Sequence, residues 1–186
     1  MPCGSRRLLW DRQDRLFRQW TVMDISKRRF MRGGPGPIEF RPPWLLDPAS
    51  FTETCTRCNK CIELCPEGIM VAGDGGFPRV EFARGECTFC GDCTSRCEAD
   101  LFHHTLDNER PGWAHKAVVN ERCLTQFGVM CRSCEDACDP RAIRFPLAAG
   151  KIPHPIIDTE ACTGCGACIG PCPETAISMA SERKLN

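Results

Sequence analysis

The stretch Cys55-Thr-Arg-Cys58-Asn-Lys-Cys61-Ile-Glu-Leu-Cys65-Pro66 decides the fold of this 186-residue chain. Its four cysteines have the spacing C-x2-C-x2-C-x3-C, the ligand run of bacterial-type [4Fe–4S] proteins. Two intervening residues let a tight loop turn three thiolates toward one cube. The fourth thiolate points away and usually binds the cube of a partner run. The stretch therefore predicts an iron–sulfur site.

Three further runs are built in the same way, and together the four runs use sixteen of the seventeen cysteines, leaving Cys3 as a bystander. The sequence therefore predicts four [4Fe–4S] clusters. Their ligands are Cys55, Cys58, Cys61 and Cys65 in run one; Cys87, Cys90, Cys93 and Cys97 in run two; Cys123, Cys131, Cys134 and Cys138 in run three; and Cys162, Cys165, Cys168 and Cys172 in run four.

Run three is irregular, because seven residues separate Cys123 from Cys131 where the other runs have two. The loop can still close, since the entropy cost of closure grows slowly with loop length. The cluster that uses Cys123, Cys131 and Cys134 is nevertheless the least certain of the four. The alternative is that Cys123 is not a ligand, which leaves a three-cysteine site.

Other cysteine-rich classes explain the pattern less well. Zinc sites group cysteines two and two with a long gap between the pairs, which leaves the third and fourth cysteine of each run unexplained. A disulfide framework requires an oxidising compartment and a signal peptide, and neither is indicated. Soft thiolates in groups of four favour iron–sulfur chemistry.

An internal repeat joins the runs in pairs. Residues 66–86 and 139–161 are gaps of similar length, and each predicts a short helix after the last cysteine, followed by a β-hairpin. The first hairpin turns at residues 73–76. We therefore expect an α+β fold of two tandem bacterial-type 2[4Fe–4S] ferredoxin-like modules, over residues 48–110 and 111–180.

In that arrangement the last cysteine of each run ligates the cluster of its partner run. Cys65 then ligates the cluster of run two, and Cys97 ligates that of run one. In the same way, Cys138 ligates the cluster of run four, and Cys172 ligates that of run three. Ligation within each run is not excluded by the spacing. A second pairing also remains open, in which run one pairs with run four and run two with run three.

Residues 1–47 form a basic N-terminal arm and linker. Residues 1–32 carry nine basic and three acidic side chains, against 15 basic and 21 acidic in the rest of the chain. Residues 1–22 are interpreted as a possible upstream extension, with Met23 as the alternative start. Ser26-Lys-Arg-Arg29 is similar to a twin-arginine export signal, but a Gly/Pro-rich segment follows in place of an apolar one. We therefore expect a cytoplasmic protein.

Several function classes are not indicated. No apolar run is long enough to span a membrane, and no nucleotide-binding loop, nucleophile–base set or nucleic-acid motif is present. An enzyme is therefore not expected. Leu, Ile, Val and Phe make up only about a fifth of the residues, so the metal-free chain should fold poorly. The four histidines lie outside the runs and are expected to be solvated.

The chain resembles the NapF ferredoxin-type proteins of the periplasmic nitrate reductase system over about residues 24–180. The resemblance lies in the basic start at 26–29, in Arg41-Pro-Pro-Trp44 and in Cys55–Cys61. It also lies in Cys131–Cys138, with the long gap back to Cys123, and in Cys162–Cys168. Residues 1–22 fall outside the family pattern.

This resemblance implies an accessory protein that assists maturation of the catalytic subunit of periplasmic nitrate reductase, and of its [4Fe–4S] centre, before export. Residues 24–32 and Trp44 are then candidate docking elements, although a packing role for Trp44 is the alternative. The competing function is that of a polyferredoxin that relays electrons to an oxidoreductase. A purely structural metal-binding module is the third class.

Overall fold

Short elements make up the fold, because the cysteine runs leave little chain for regular structure. The computed structural model describes residues 39–103, 112–147 and 149–181. The predicted basic arm lies outside the described residues, except for its last part at 39–47. All described residues belong to one unit, Glu39–Asn186.

Four α-helices of four residues each are present among the described residues. They are α1 (Phe51–Thr54), α2 (Lys60–Glu63), α3 (Asp92–Ser95) and α4 (Ser133–Asp136). The last three each contain the third cysteine of a run. The prediction of a helix after the last cysteine of runs one and three is therefore wrong. At those positions the chain makes a tight turn, described below, and enters a strand.

Six strands form three antiparallel pairs. They are β1 (Met70–Ala72), β2 (Pro78–Val80), β3 (His115–Val119), β4 (Ile143–Arg144), β5 (Ile156–Ile157) and β6 (Ile177–Ser181). The two predicted hairpins are confirmed as β1–β2, which pairs Met70 with Val80, and β4–β5, which pairs Ile143 with Ile157. A 3-10 turn at Asp74–Gly76 closes the first hairpin where the glycines predicted it. The mixture of short helices and strand pairs agrees with the α+β class.

The third strand pair belongs to the second module alone. Strand β3 precedes run three, β6 follows run four, and the two pair from His115 opposite Ser181 to Val119 opposite Ile177. The corresponding segments of the first module make a single bridge between Leu45 and Phe102. Within the described residues, the second module is thus closed by a ladder and the first by a single bridge.

Residues 39–46 close the first module in a different way. Phe40 forms a bridge with Val80 on β2, and the Trp113 Nε1–H group donates to the Arg41 carbonyl oxygen at 2.9 Å. Arg41 also lies over the ring of Phe51 at 5.0 Å. These contacts place the last part of the predicted arm against the folded unit.

One hydrophobic core serves both modules. Its buried members come from the hairpin of the first module, from β3 and β6, and from β4: Ile69, Met70, Val80, Phe82, Trp113, Ala117, Ile143, Phe145, Ile177 and Met179, together with the thiols Cys134 and Cys168. A smaller cluster of Phe51, Leu101 and Phe102 lies in the first module. No helix among the described residues is long and apolar enough to cross a membrane.

Candidate iron–sulfur sites

The three regular runs share one loop conformation. The residues on either side of the second cysteine have left-handed backbone angles in each of them, and these residues are Arg57 and Asn59, Phe89 and Gly91, and Gly164 and Gly166. Backbone in such turns makes concavities lined by N–H groups that bind anions. A cube ligated by four thiolates is anionic, so this loop suits it electrostatically as well as sterically.

A second turn follows the last cysteine of every run. The residue three positions later has a positive φ in all four cases, at Gly68, Asp100, Arg141 and Thr175. The next residue is buried, and in two runs its N–H group donates to the cysteine sulfur, from Ala142 to Cys138 Sγ at 3.3 Å and from Ala176 to Cys172 Sγ at 3.2 Å. The turn directs the last cysteine away from the loop of its own run.

Site one gathers Cys55, Cys58 and Cys61 of run one with Cys97 of run two. Burial raises the pKa of Cys61 to about 11, and the neighbouring thiolates that raise it further are those of Cys55, Cys58 and Cys97. Cys58 is exposed. The last cysteine of run two therefore lies near the first three of run one.

Site two gathers Cys87, Cys90 and Cys93 with Cys65 of run one. All four line one cavity. Burial raises the pKa of Cys93 to about 12, with further contributions from thiolates that include Cys65. The indole of Trp44 forms part of the cavity wall, so this site is screened from water on that side.

Site three gathers Cys123, Cys131 and Cys134 with Cys172 of run four. These four line one cavity, as the cysteines of site two do. Burial raises the pKa of Cys134 to about 11, and the charges of the other three raise it further. The structure thus brings Cys123 to the site in spite of the long gap that follows it.

Site four gathers Cys162, Cys165 and Cys168 with Cys138 of run three. Cys168 is buried, and burial raises its pKa to about 12, with the charges of Cys165, Cys162 and Cys138 acting in the same direction. Protonated thiols must release their protons when they ligate a metal. Iron uptake at these sites is therefore coupled to proton release.

The arrangement of donors fits a cube better than it fits zinc. Zinc needs its sulfur ligands at about 2.3 Å from one ion. Among the described residues, no group of three or more His, Cys, Asp or Glu side chains is placed to hold a metal ion in that way. The thiols of sites two and three instead line cavities, as the corners of a larger inorganic core require.

Two unpartnered polar atoms also fit an anionic group at site four. His115 Nε2 and Thr163 Oγ1 are buried and have no hydrogen-bond partner in the described part of the chain. Thr163 lies between Cys162 and Cys165, and a Cβ atom on Gly164 would lie 3.3 Å from His115 Nε2. Donors left over beside this loop suit a cluster that carries negative charge.

The burial of His115 was not predicted. A solvated side chain was expected, but His115 is 8% exposed and packs against the rings of Phe40 and Trp113. Burial lowers its pKa to about 4, the charge of Lys116 acts in the same direction, and the Gly164 backbone opposes the shift. His115 is the first residue of strand β3, and this strand is the local signal from which its burial could have been predicted.

The long gap of run three forms a 3-10 helix, Leu124–Phe127, followed by Gly128 in a left-handed conformation. Thr125 is buried, and its Oγ1 hydroxyl forms a hydrogen bond with His154 Nδ1 at 3.0 Å. The rest of the loop exposes apolar side chains, with Phe127 at 71% and Met130 at 57%. The insertion is therefore anchored at one residue and open to solvent elsewhere.

Trp44 packs inside the first module. It is 9% exposed, meets the ring of Phe89 edge-on at 5.6 Å, and has a φ of +58°, which is uncommon for a bulky residue. Its N–H group donates to the Gly112 carbonyl, and its carbonyl accepts from the His103 N–H group. This supports the packing role and leaves Trp44 unavailable for docking.

Two segments match a protein family described as 4Fe-4S dicluster domains. The matches cover residues 42–102 and residues 129–176. The first segment contains runs one and two, and the second contains run four with most of run three, so the predicted pairing of the runs is confirmed. Two dicluster domains accommodate the four expected [4Fe–4S] clusters. Cys123 lies just outside the second match.

The chain is also similar to curated ferredoxin-type proteins. It is 39% identical to NapF of Haemophilus influenzae, in an alignment that covers 86% of this chain and 96% of that protein. It is 39% identical to NapF of Escherichia coli, over 84% of this chain and 94% of the relative. The methylamine utilization protein MauM of Methylobacillus flagellatus is 30% identical, over 97% of this chain and 83% of the relative.

Proposed function

The chain belongs to the NapF family of ferredoxin-type proteins, and from this premise we propose that it assists maturation of the catalytic subunit of a periplasmic nitrate reductase. The help concerns the [4Fe–4S] centre of that subunit and takes place in the cytoplasm before export. The chain acts as an accessory iron–sulfur protein and turns over no substrate of its own.

The observation that supports this proposal is the share of the relative's sequence that the alignment covers. Cysteine runs alone are common to ferredoxins in general, whereas the alignment with Haemophilus influenzae NapF covers 96% of that protein. The irregular run three and the segment that contains Trp44 both belong to the resemblance. The proposal therefore depends on features of the whole chain and not on the cluster ligands alone.

We assign the sixteen cysteines to the four sites described above, with Cys65, Cys97, Cys138 and Cys172 crossing to the partner run. A [4Fe–4S] group in such a site transfers one electron at a potential set by its surroundings. The chain holds the group with four thiolates, excludes water with side chains such as Trp44, and donates backbone N–H groups to the ligand sulfurs. The N–H groups of Ala142 and Ala176 show the last of these roles.

The basic stretch 24–32 is our proposed docking element for the catalytic subunit. It lies outside the described residues, so its support is the sequence: Lys27, Arg28, Arg29 and Arg32 stand within six positions. Basic clusters steer association with acidic partners and lose strength as salt rises. Trp44 no longer belongs to this element, because it is buried.

The test measures capture of purified catalytic subunit by the iron-loaded chain at low ionic strength. The triple variant K27Q, R28Q, R29Q is compared with the matched variant R6Q, R7Q, R12Q, which removes the same charge upstream of Met23. We expect only the first variant to bind more weakly, with iron content unchanged in both. Capture should favour the unexported, cluster-poor subunit over the mature one.

The outcomes separate the two parts of the proposal. Equal capture by both variants would exclude stretch 24–32 as the docking element. Failure of the unsubstituted chain to bind the precursor subunit at all would exclude the maturation function.

The alternative function is electron transfer to an oxidoreductase. One observation favours it: both modules belong to one unit and share one core, which suits a continuous path better than two separate carriers. Similarity to MauM, a ferredoxin-type protein named for methylamine utilization, also indicates that related sequences are not confined to NapF proteins. Rapid reduction of a defined oxidoreductase by the chain, without capture of the precursor subunit, would support this alternative.

A further inference from the structure

The two modules meet at a pair of cysteine loops. The backbone N–H group of Cys87, in site two, donates a hydrogen bond of 2.8 Å to the carbonyl oxygen of Cys165, in site four. This length is that of a well-formed N–H···O bond between backbone groups. Among the described residues, it is the one backbone hydrogen bond that joins cysteines of different modules.

Packing around this bond keeps the two loops together. Phe82 of the first module is 5% exposed and lies against Gly166 of run four so closely that a Cβ atom there would be 2.1 Å from its ring. The rings of Trp113 and His115 lie 5.6 Å from the ring of Phe82. The junction is therefore closely packed: Phe82 and Gly166 are buried, and Cys87 and Cys165 are partly buried.

Electrostatics agree with this proximity. The charge of Cys165 is among the influences that raise the pKa of Cys87, although its effect is smaller than that of burial. Within the first module, Cys61 of site one has the same kind of influence on Cys93 of site two. The contact across the modules is thus comparable in kind to the contact inside a module.

We propose that the Cys87–Cys165 hydrogen bond couples site two to site four electronically, so that the four sites form one row in the order one, two, four, three. An electron supplied by a one-electron reductant moves between neighbouring sites, one being oxidised as the next is reduced, and no bond forms or breaks. Sites one and three are the ends of the row, and run three with its exposed loop lies at one of them.

This inference rests on the crossed ligand sets proposed above, and its test uses matched variants of the iron-loaded full chain. The variant C58A, C131A removes sites one and three, and the variant C90A, C165A removes sites two and four. Each loses the second cysteine of one run per module, and each should lose half of its iron. After reduction with dithionite, electron paramagnetic resonance reports whether the two remaining clusters interact.

We expect the C58A, C131A protein, which keeps sites two and four, to show broadened signals and several-fold faster spin relaxation than the C90A, C165A protein. Equal, uncoupled signals from the two proteins would overturn the proposed row. Iron contents that do not fall by half would instead contradict the ligand sets, so the two failures are distinguishable.

A second comparison keeps all four sites and applies if a double variant does not fold. Gly166 and Gly128 both have positive φ, but only at Gly166 does a Cβ atom meet a neighbour, since nothing lies within 4 Å of one at Gly128. We expect G166A to force the Phe82 contact apart and to weaken the interaction between modules, while G128A leaves it unchanged. Identical relaxation in G166A, G128A and the unsubstituted protein would contradict the inference.

Discussion

The two modules each contain two runs of four cysteines but close their folds differently. In the second module, β3 and β6 form a five-residue ladder that ties the segment before run three to the segment after run four. In the described part of the first module, the corresponding segments meet at a single bridge between Leu45 and Phe102. The closing contacts there come instead from Phe40, which bridges Val80 on β2, and from Trp44, which packs against Phe89.

This difference indicates that the ligand loops determine where the cluster sites lie. The segments that flank the runs determine how stable each module is. A ladder satisfies backbone groups in a regular way, and its stability is spread over several residues. The first module depends on a few large side chains. The predictions below test this contrast, beginning with the largest expected effect.

Iron removal should have the largest effect, because metal binding and folding are coupled in small metal-rich domains. We expect the anaerobically chelated chain to lose its native near-UV circular dichroism and its cooperative thermal transition. Amides of β3 and β6 should keep more protection from hydrogen exchange than those of β1 and β2. A sharp two-state transition in the metal-free chain would contradict the first expectation, and equal protection of the two regions would contradict the second.

Loss of a first cysteine compares the regular run one with the irregular run three. We expect C55A and C123A each to lower the iron content by about a quarter, since each removes one ligand from one of four sites. Iron and sulfide analysis of the purified proteins measures this. An unchanged iron content in C123A alone would show that Cys123 is not a ligand and that run three makes a three-cysteine site.

Truncation of Trp44 tests the closure of the first module. We expect W44A to lower the free energy of unfolding by about 3–5 kcal/mol, because it removes a buried indole from a cavity wall. The control is L46A, two positions away and 49% exposed in its side chain, for which an effect within about 0.5 kcal/mol is expected. Urea unfolding under anaerobic conditions gives both values, and similar values would mean that Trp44 contributes little to closure.

The smallest predicted effect concerns pH and the ladder of the second module. Burial lowers the pKa of His115 to about 4 in the folded chain, below its ordinary value of 6.5. Below pH 6.5 the unfolded chain binds a proton that the folded chain excludes. The stability is therefore fully present above pH 6.5 and is lost as pH falls toward 4, by about 3 kcal/mol in total.

Substitution H115F should flatten this dependence between pH 6.5 and 5, where about 2 kcal/mol of the loss falls. Urea titrations at several pH values compare it with H154Q, which alters an exposed histidine. If H115F and the unsubstituted protein lose stability in parallel as the pH falls, another group is responsible for the acid sensitivity.

Much of the fold followed from cysteine spacing, because ligation imposes strict local geometry. The runs predicted the sites, their pairing and both hairpins, and the glycines at 73–76 predicted the turn. The position of the helices could not be predicted, because four-residue helices have no periodic pattern. The turn after Cys138 places a left-handed residue at Arg141, where neither glycine nor asparagine marks it in the sequence.

Burial of single side chains was also beyond the sequence. His115 has mostly apolar neighbours in the chain apart from Lys116, but much of its surroundings comes from Phe40 and Phe82, which are distant in sequence. The ladder of β3 and β6 joins segments about sixty residues apart, and the first module has similar flanking segments without a ladder. Spacing identifies ligands, whereas these contacts depend on the packing of the whole unit.

The packing of Phe82 against Gly166 has a consequence for a chain that is cut between its two modules. A cut within residues 104–111 separates the modules but leaves the ring of Phe82 on one fragment and its complementary hollow on the other. Each fragment then exposes apolar surface that only the other covers. Two such halves, synthesised as separate polypeptides and mixed, should reassociate into a non-covalent complex.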